Sequence, residues 1–482
     1  MRLLTFLLAA SCWISSLAAA PAETSAPVLA SSPAKAEVRV LKNDEVLPLL
    51  DARQKRFLKG LPKFMDYGWI EVPEDWAEAT SPRVRVFWHR LKARRPSGKE
   101  PVIYYNGGPG AFTEEGYMDL MRRTPDRDFV MLHQRGTGCG SLFPDGADAA
   151  SVKRLRLYLS RAIVLDSEAL RRSLYGEDSR WCIVGQSYGA MIGHRYLEIC
   201  PGSISSLHLH GHAPMDKPQL DAELRLRAHH ANLTRFLAAH PECRSRLEVL
   251  RRHLDDPKNG FSFGSLRLEG RHSLGYAGLI FLSEDSEWPQ LAGILQYISP
   301  DGKTVHREAL EAVVKAVCID ELEIDNPSNP LNTVCNRIEC YGSGKQSLSD
   351  FYTEIFDRMA KEGSDPREWL LGEEALAHFT MNSPALKLAD TIDFGPLDLI
   401  DPAQEAANLK ASPEIEFYLY SSDQDPLSPP AIFDPLVKLC GPRIHYQIIR
   451  GTGHGGFMNE RPFWSDLRKL PAPAKIELKK AG

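Results

Sequence analysis

The sequence predicts an α/β fold: a mostly parallel central sheet covered by helices on both faces and interrupted by a long, mainly helical insertion. Three observations predict it. Short apolar, β-prone runs alternate with helical spacing between residues 68 and 210, the pattern of strands joined by crossover helices. The run Trp181-Cys182-Ile183-Val184-Gly185-Gln186-Ser187-Tyr188-Gly189-Ala190 reads as strand, tight turn and helix start. Strand character lapses from about residue 213 and returns near residue 414.

At the N-terminus, Arg2 precedes an apolar run over residues 3–17, followed by Ala18-Ala19-Ala20-Pro21-Ala22. A charged start, a short apolar core and small residues predict a signal peptide over 1–22, cleaved near Ala20 or Ala22. The run is too short for a comfortable span, so no stable membrane insertion is expected. Ala10-Ser11-Cys12 has the outline of a lipoprotein site, but Ala9 stands where a larger aliphatic is usual and apolar residues continue past Cys12. The expectation is therefore a periplasmic or secreted chain without a lipid anchor. Residues 23–60 follow as a leader, Ala/Ser/Pro-rich and expected to be unfolded up to residue 36.

The first part of the core is expected over 61–212. Residues 68–76 and 83–91 read as edge strands. Residues 101–105 form a short buried strand ending at Asn106-Gly107-Gly108-Pro109-Gly110, and 129–133 the next, ending at Gln134-Arg135-Gly136-Thr137-Gly138. A helix is expected over 151–175 and a strand over 204–210. Residues 213–395 read as a helical lid, with helical spacing at 224–237, 247–254 and 310–317. The core resumes over 396–482 with strands at 414–420 and 444–449 and helices at 430–439 and 462–470. No internal repeat is visible.

Of the 482 residues 43% are hydrophobic and 25% charged, and the net charge is −5. These are values of a globular enzyme, and no nucleic-acid partner is expected. Nine cysteines occur. Cleavage removes Cys12, and Cys243, Cys318, Cys335 and Cys340 lie in the insertion. Export permits disulfides, and four cysteines allow three pairings that sequence does not decide. Cys335 and Cys340 lack the second close pair a zinc site needs. His208, His210 and His212 alternate like metal ligands; the competing reading is a strand with Leu207 and Leu209 toward the core and histidines toward helices or solvent. No metal and no cofactor are expected.

Gly185, Ser187 and Gly189 make Gly-x-Ser-x-Gly. Between a strand and a helix this spacing is a nucleophile elbow. The serine is held in a strained conformation that lifts its hydroxyl off the sheet, and side chains on its neighbours would collide. The helix start offers N–H groups to a developing oxyanion. A serine hydroxyl needs a base, usually an imidazole oriented by a carboxylate. Asp425 and His454 each follow a late strand, in the chain order Ser, Asp, His. Asp423 is the rival carboxylate. Candidate oxyanion donors are the amides of Tyr188 and Gly108, with Gly107 second to Gly108.

Gly107-Gly108-Pro109-Gly110, Gln134-Arg135-Gly136-x-Gly138, Gly185-Gln186-Ser187-Tyr188-Gly189, Asp425-Pro426-x-x-Pro429 and Gly453-His454 occur in one order across residues 68–457. On these pieces the chain resembles the proline iminopeptidase and tripeptidyl aminopeptidase family of α/β-hydrolase serine peptidases. Weaker echoes are Val72-Pro73-x-Asp75-Trp76 and Ser286-Glu287-Trp288-Pro289. The resemblance implies an α/β-hydrolase fold with a lid shaping the pocket, and catalysis by Ser187, Asp425 and His454. It implies peptide substrates with a free N-terminus, cut to release N-terminal residues or short peptides. It also implies lid carboxylates that hold the substrate amine, with Glu287 and Asp320 as candidates. Two departures, His133 for the family's Asp and Asn106 for its frequent His, bear on substrate preference more than on chemistry. Arg135 is expected to hold the oxyanion loop through charged hydrogen bonds. The same triad would also serve an ester hydrolase of esterase or lipase type. A binding protein on an inactive hydrolase is a further alternative, disfavoured by the complete triad. The sequence leaves the oligomeric state open.

Overall fold

Apolar runs buried on both faces build the middle of one nine-stranded sheet. The strands are β1 (Glu37–Val40), β2 (Asp66–Pro73), β3 (Arg83–Leu91), β4 (Val102–Tyr105), β5 (Phe129–Leu132), β6 (Trp181–Gln186) and β7 (Ile204–His210), then β10 (Glu416–Ser422) and β11 (Ile444–Ile449). A separate hairpin, β8 (Phe261–Phe263) and β9 (Leu266–Leu268), lies in the insertion. This computed structural model describes residues 37–40, 55, 59, 65–110, 123–144, 148–214, 217–263, 266–268, 282–299, 301, 303–308, 311, 331, 334–340, 346–371, 384–455 and 461–469. The expected signal peptide, Cys12, the leader up to residue 36, Cys318, Asp320 and most of the helix expected over 310–317 lie outside the described residues.

The strand order is β1-β2-β3-β5-β4-β6-β7-β10-β11. Pairing is antiparallel from β1 to β5 and parallel from β5 through β11. Every residue of β4 and β5 is buried, as central parallel strands require. After β4 the chain steps to one side for β5 and then to the other for β6. That reversal opens a crevice at the carboxyl ends of the strands, where open α/β sheets bind ligands. This is the sheet of an α/β-hydrolase, as expected.

Helices α1 (Ala149–Arg154), α2 (Ser160–Tyr175) and α3 (Tyr188–Ile199) belong to the first part of the core. The single helix expected over 151–175 is broken by a 3₁₀ turn at Leu155–Tyr158, which turns the Leu157 carbonyl toward the guanidinium of Arg135. Within the insertion run α4 (Pro218–Ala239), α5 (Cys243–Leu254), α6 (Trp288–Leu295), α7 (Leu348–Lys361) and α8 (Pro384–Thr391). Then come α9 (Pro402–Ala411), α10 (Asp434–Cys440) and α11 (Arg461–Lys469). Helix α9 starts where Asp401 Oδ1 accepts the Ala403 N–H at 2.8 Å, a cap followed by Pro402 at the first turn.

Two expectations are corrected at the sheet's edge. Residues 23–60 were expected as leader, yet β1 lies within them and pairs with 68–71 of β2. The two expected edge strands, β2 and β3, therefore each have neighbours on both sides. The insertion also divides in its packing. Phe236, Leu247, Leu250, Leu291 and Leu295 of α4–α6 form an apolar cluster of their own. Phe351, Ile355 and Met359 of α7 join the cluster that packs on the sheet.

Candidate active site

Ser187 stands between β6 and α3 with φ +56° and ψ −121°, the one non-glycine residue at positive φ among those described. Its N–H donates to the His210 carbonyl at 2.8 Å, and its own carbonyl accepts from Ala190 N at 2.9 Å. The flanking glycines are required by contact. A Cβ on Gly185 would lie 2.3 Å from Gly189 O, and one on Gly189 would lie 2.1 Å from Tyr105 O. The elbow is thus wedged between β4 and α3, and the packing holds a conformation that costs about 1–3 kcal/mol.

Asp425 follows β10 and is buried. Its Oδ2 accepts from His454 Nδ1 at 2.7 Å and from the Ser428 hydroxyl. Its Oδ1 accepts the amides of Leu427 at 2.8 Å and Ser428 at 3.1 Å. Burial alone would raise its pKa. The charge and hydrogen bond of His454, with help from His210 and Ser428, outweigh that and hold the carboxyl well below the usual range. With Nδ1 given to Asp425, Nε2 of the neutral ring is the acceptor. The rival Asp423 is exposed and accepts the Gly451 N–H at 2.8 Å, so it shapes the loop instead.

His454 follows β11. Gln186, the residue before the serine, donates Nε2–H to the His454 carbonyl at 2.8 Å. A Cβ on Gly211 would lie 3.1 Å from His454 Cε1 and 3.4 Å from Ser187 N, so ring and serine backbone flank one point. All three predicted residues come together at the carboxyl ends of β6, β10 and β11.

The loop 106–110 lies against the serine: a Cβ on Gly107 would be 3.0 Å from Ser187 Cβ and 3.5 Å from its Oγ. Gly108 has φ +76°. Gln134 grips this loop on both sides, donating to Gly108 O at 2.8 Å and accepting from Gly110 N at 2.7 Å. Arg135 does not hold it, contrary to expectation. Its guanidinium pairs with Asp166 through Nε (2.9 Å) and a terminal nitrogen (2.8 Å), and donates to the carbonyls of Pro73, Glu74 and Leu157. Successive side chains leave a strand end in opposite directions, so the neighbour takes the loop.

Tyr188, the other candidate donor, begins α3, whose first N–H groups have no partner within the helix. Its phenol donates to Glu339 Oε2 at 3.3 Å; Glu339 is buried and also accepts from Ser160 and Cys335. Glu287 binds Gln290 within its own turn at 2.5 Å. His133 is fully buried, its ring 4.9 Å from Phe87, and burial keeps it neutral. His208, His210 and His212 are buried as well, not solvent-facing. His208 stacks on Tyr418 at 4.7 Å, and His210 Nε2 meets Ser422 Oγ at 2.9 Å. Among the described residues no group of three or more His, Cys, Asp or Glu could hold a metal ion. Nor, among them, is any helix long and apolar enough to cross a membrane. Cys243, Cys335 and Cys340 are free thiols.

Gln134, Glu284 and Glu339 were not singled out from sequence. Gln134 lies in the quoted Gln-Arg-Gly run; no spacing ties Glu284 to Gly453, or Glu339 to the helix starts at Ser160 and Tyr188.

No protein-family profile matches the chain. It is 30% identical over 126 residues to a Streptomyces coelicolor protein named "Probable proline iminopeptidase", 26% of this chain and 36% of that protein. It is 26% identical over 199 residues to proline iminopeptidase aneH of Aspergillus aculeatus, 36% of this chain and 42% of that one. The chain thus spans less than half the length of these curated relatives. Among solved structures it is similar to a proline iminopeptidase of Mycobacterium smegmatis, with 16% identity, TM-score 0.36, and coverage of 80% of this chain and 93% of that one. An acetylester hydrolase of Corynebacterium glutamicum shares 11% identity with TM-score 0.45, covering 87% and 97%.

Proposed function

We propose that this chain is a serine hydrolase that acts as an aminopeptidase, releasing N-terminal residues or short peptides from peptides with a free N-terminus. The observation that carries the reading is the 2.7 Å contact of Asp425 with His454 beside the strained Ser187. In the proposed cycle His454 Nε2 takes the Ser187 proton as Oγ attacks the substrate carbonyl. Asp425 keeps the imidazole in the required tautomer and stabilises its charge. The Tyr188 amide and one from loop 106–110, Gly108 before Gly107, receive the oxyanion. His454 then protonates the leaving amine, and water hydrolyses the acyl-enzyme by the same route. The likeness to two proteins named as proline iminopeptidases favours peptides over oxygen esters.

A panel of aminoacyl-naphthylamides and short acyl esters tests the bond type. The reading expects a higher kcat/KM on the amides with a free amine, and loss of that advantage when the amine is acetylated. Turnover of esters alone would replace aminopeptidase by esterase. Export by residues 1–22 is part of the proposal and rests on the charged, apolar and small-residue order there. N-terminal sequencing of the mature protein, expected to begin at residue 21 or 23, tests it.

A further inference from the structure

The insertion is tied to the loops that carry Asp425 and His454 at the residue before each. Glu284 Oε2 accepts the N–H of Gly453 at 2.8 Å. The contact is close: a Cβ on Gly453 would lie 2.5 Å from Ser283 O and 3.0 Å from Glu284 Cβ. On the other loop, Gln424 Oε1 accepts Asp285 N at 2.8 Å while its Nε2 donates to Asp285 Oδ2 at 3.1 Å. Asn232 of α4 spans both sides, donating Nδ2–H to Leu282 O and to Gln424 O, each at 2.7 Å. The two loops are joined to each other where Gln424 N donates to Thr452 O at 3.2 Å. Residues 282–285 thus meet the sheet's catalytic rim through side chains that pair with backbone.

We infer that Glu284 is a positioning residue: through the Gly453 amide it fixes the loop that presents His454 to Ser187, with Gln424 doing the same for Asp425. The inference rests on the proposed roles of those three residues. A loop rich in glycine has many conformations open to it, and a charge-assisted hydrogen bond to its backbone removes most of them. Misplacement of a base by a fraction of an ångström is enough to slow proton transfer.

The test is the rate at which a small fluorophosphonate probe labels Ser187 in the full chain. The probe has no amine, so it does not report amine binding. Glu284→Ala is expected to label about tenfold more slowly at an unchanged melting temperature, the size of effect that supporting residues have on the groups they orient. Glu284→Gln is expected to stay within about twofold of wild type, because its Oε1 accepts the same N–H. On an aminoacyl-naphthylamide the Ala variant lowers kcat with KM held. Gln424→Ala, which cuts the second tie, slows labelling in the same direction and guards against misfolding of one variant. Wild-type labelling rates in Glu284→Ala, or a Gln variant as slow as Ala, overturn the inference while leaving the triad standing. A wild-type chain that takes no label overturns the triad and this inference together.

Discussion

The elbow and the insertion meet at the same rim but are held there by different forces. At the elbow, position is set by exclusion: atoms 2.1–2.3 Å from any added Cβ leave Ser187 one place to be. Residues 282–285 reach the rim by hydrogen bonds that can be exchanged for water at modest cost. Substitutions at the elbow and in the sheet should therefore be severe, and those in the tie mild and recoverable.

The sharpest break of this contrast is Ser187→Ala. It is expected to lower kcat by about 10⁶-fold, as when a triad acts as one unit, with thermal unfolding showing the fold intact. Asp425→Asn comes next, about 10⁴-fold lower in kcat because the wrong tautomer of His454 is favoured; kinetics on the best amide substrate measure it. Arg135→Ala leaves Asp166 buried without its guanidinium and should cost about 3–5 kcal/mol of stability, read by urea unfolding. Gly189→Ala forces a methyl onto the Tyr105 carbonyl and should cost about 3 kcal/mol. A melting temperature equal to wild type in Gly189→Ala would mean that the elbow is not held by packing, and in Arg135→Ala that buried Asp166 does not depend on its partner.

Acid should expose the smallest difference. Asp425 has a folded-state pKa below its unfolded value. Its contribution to stability is therefore fully present above the ordinary carboxylate range, near pH 4, and fades as pH falls through that range toward the folded pKa. Asp425→Asn should flatten the loss of stability between about pH 5 and 2, which pH-dependent unfolding measures.

The same contrast explains what could be read from the chain. The grouping of Ser187, Asp425 and His454 was legible because its signals are local: glycines that contact requires, and two polar residues just past strands. The sheet was legible because its centre is apolar on both faces, as in β4 and β5. That central burial also decides between the two surroundings expected for the histidines of β7. Helices cover both faces of β7, with Phe463 of α11 against His208 and His194 of α3 near His212, so its alternating histidines point to helices, one of the two surroundings expected for them, and not to solvent. β1 was hidden in a leader whose start is Ala/Ser/Pro-rich, since four residues that gain a partner only at 68–71 carry little local signal. The loop contact expected of Arg135 is made by Gln134 because one residue's step reverses the side-chain direction. Glu284 lies 169 residues from Gly453, and nothing in the spacing marks such a contact.

The most direct test of the central claim is to locate the fluorophosphonate adduct by mass spectrometry. One adduct on the Ser187 peptide, absent in Ser187→Ala and strongly slowed in His454→Ala, is the predicted result. No adduct on the folded wild-type chain, or an adduct on another serine that persists in Ser187→Ala, would contradict it.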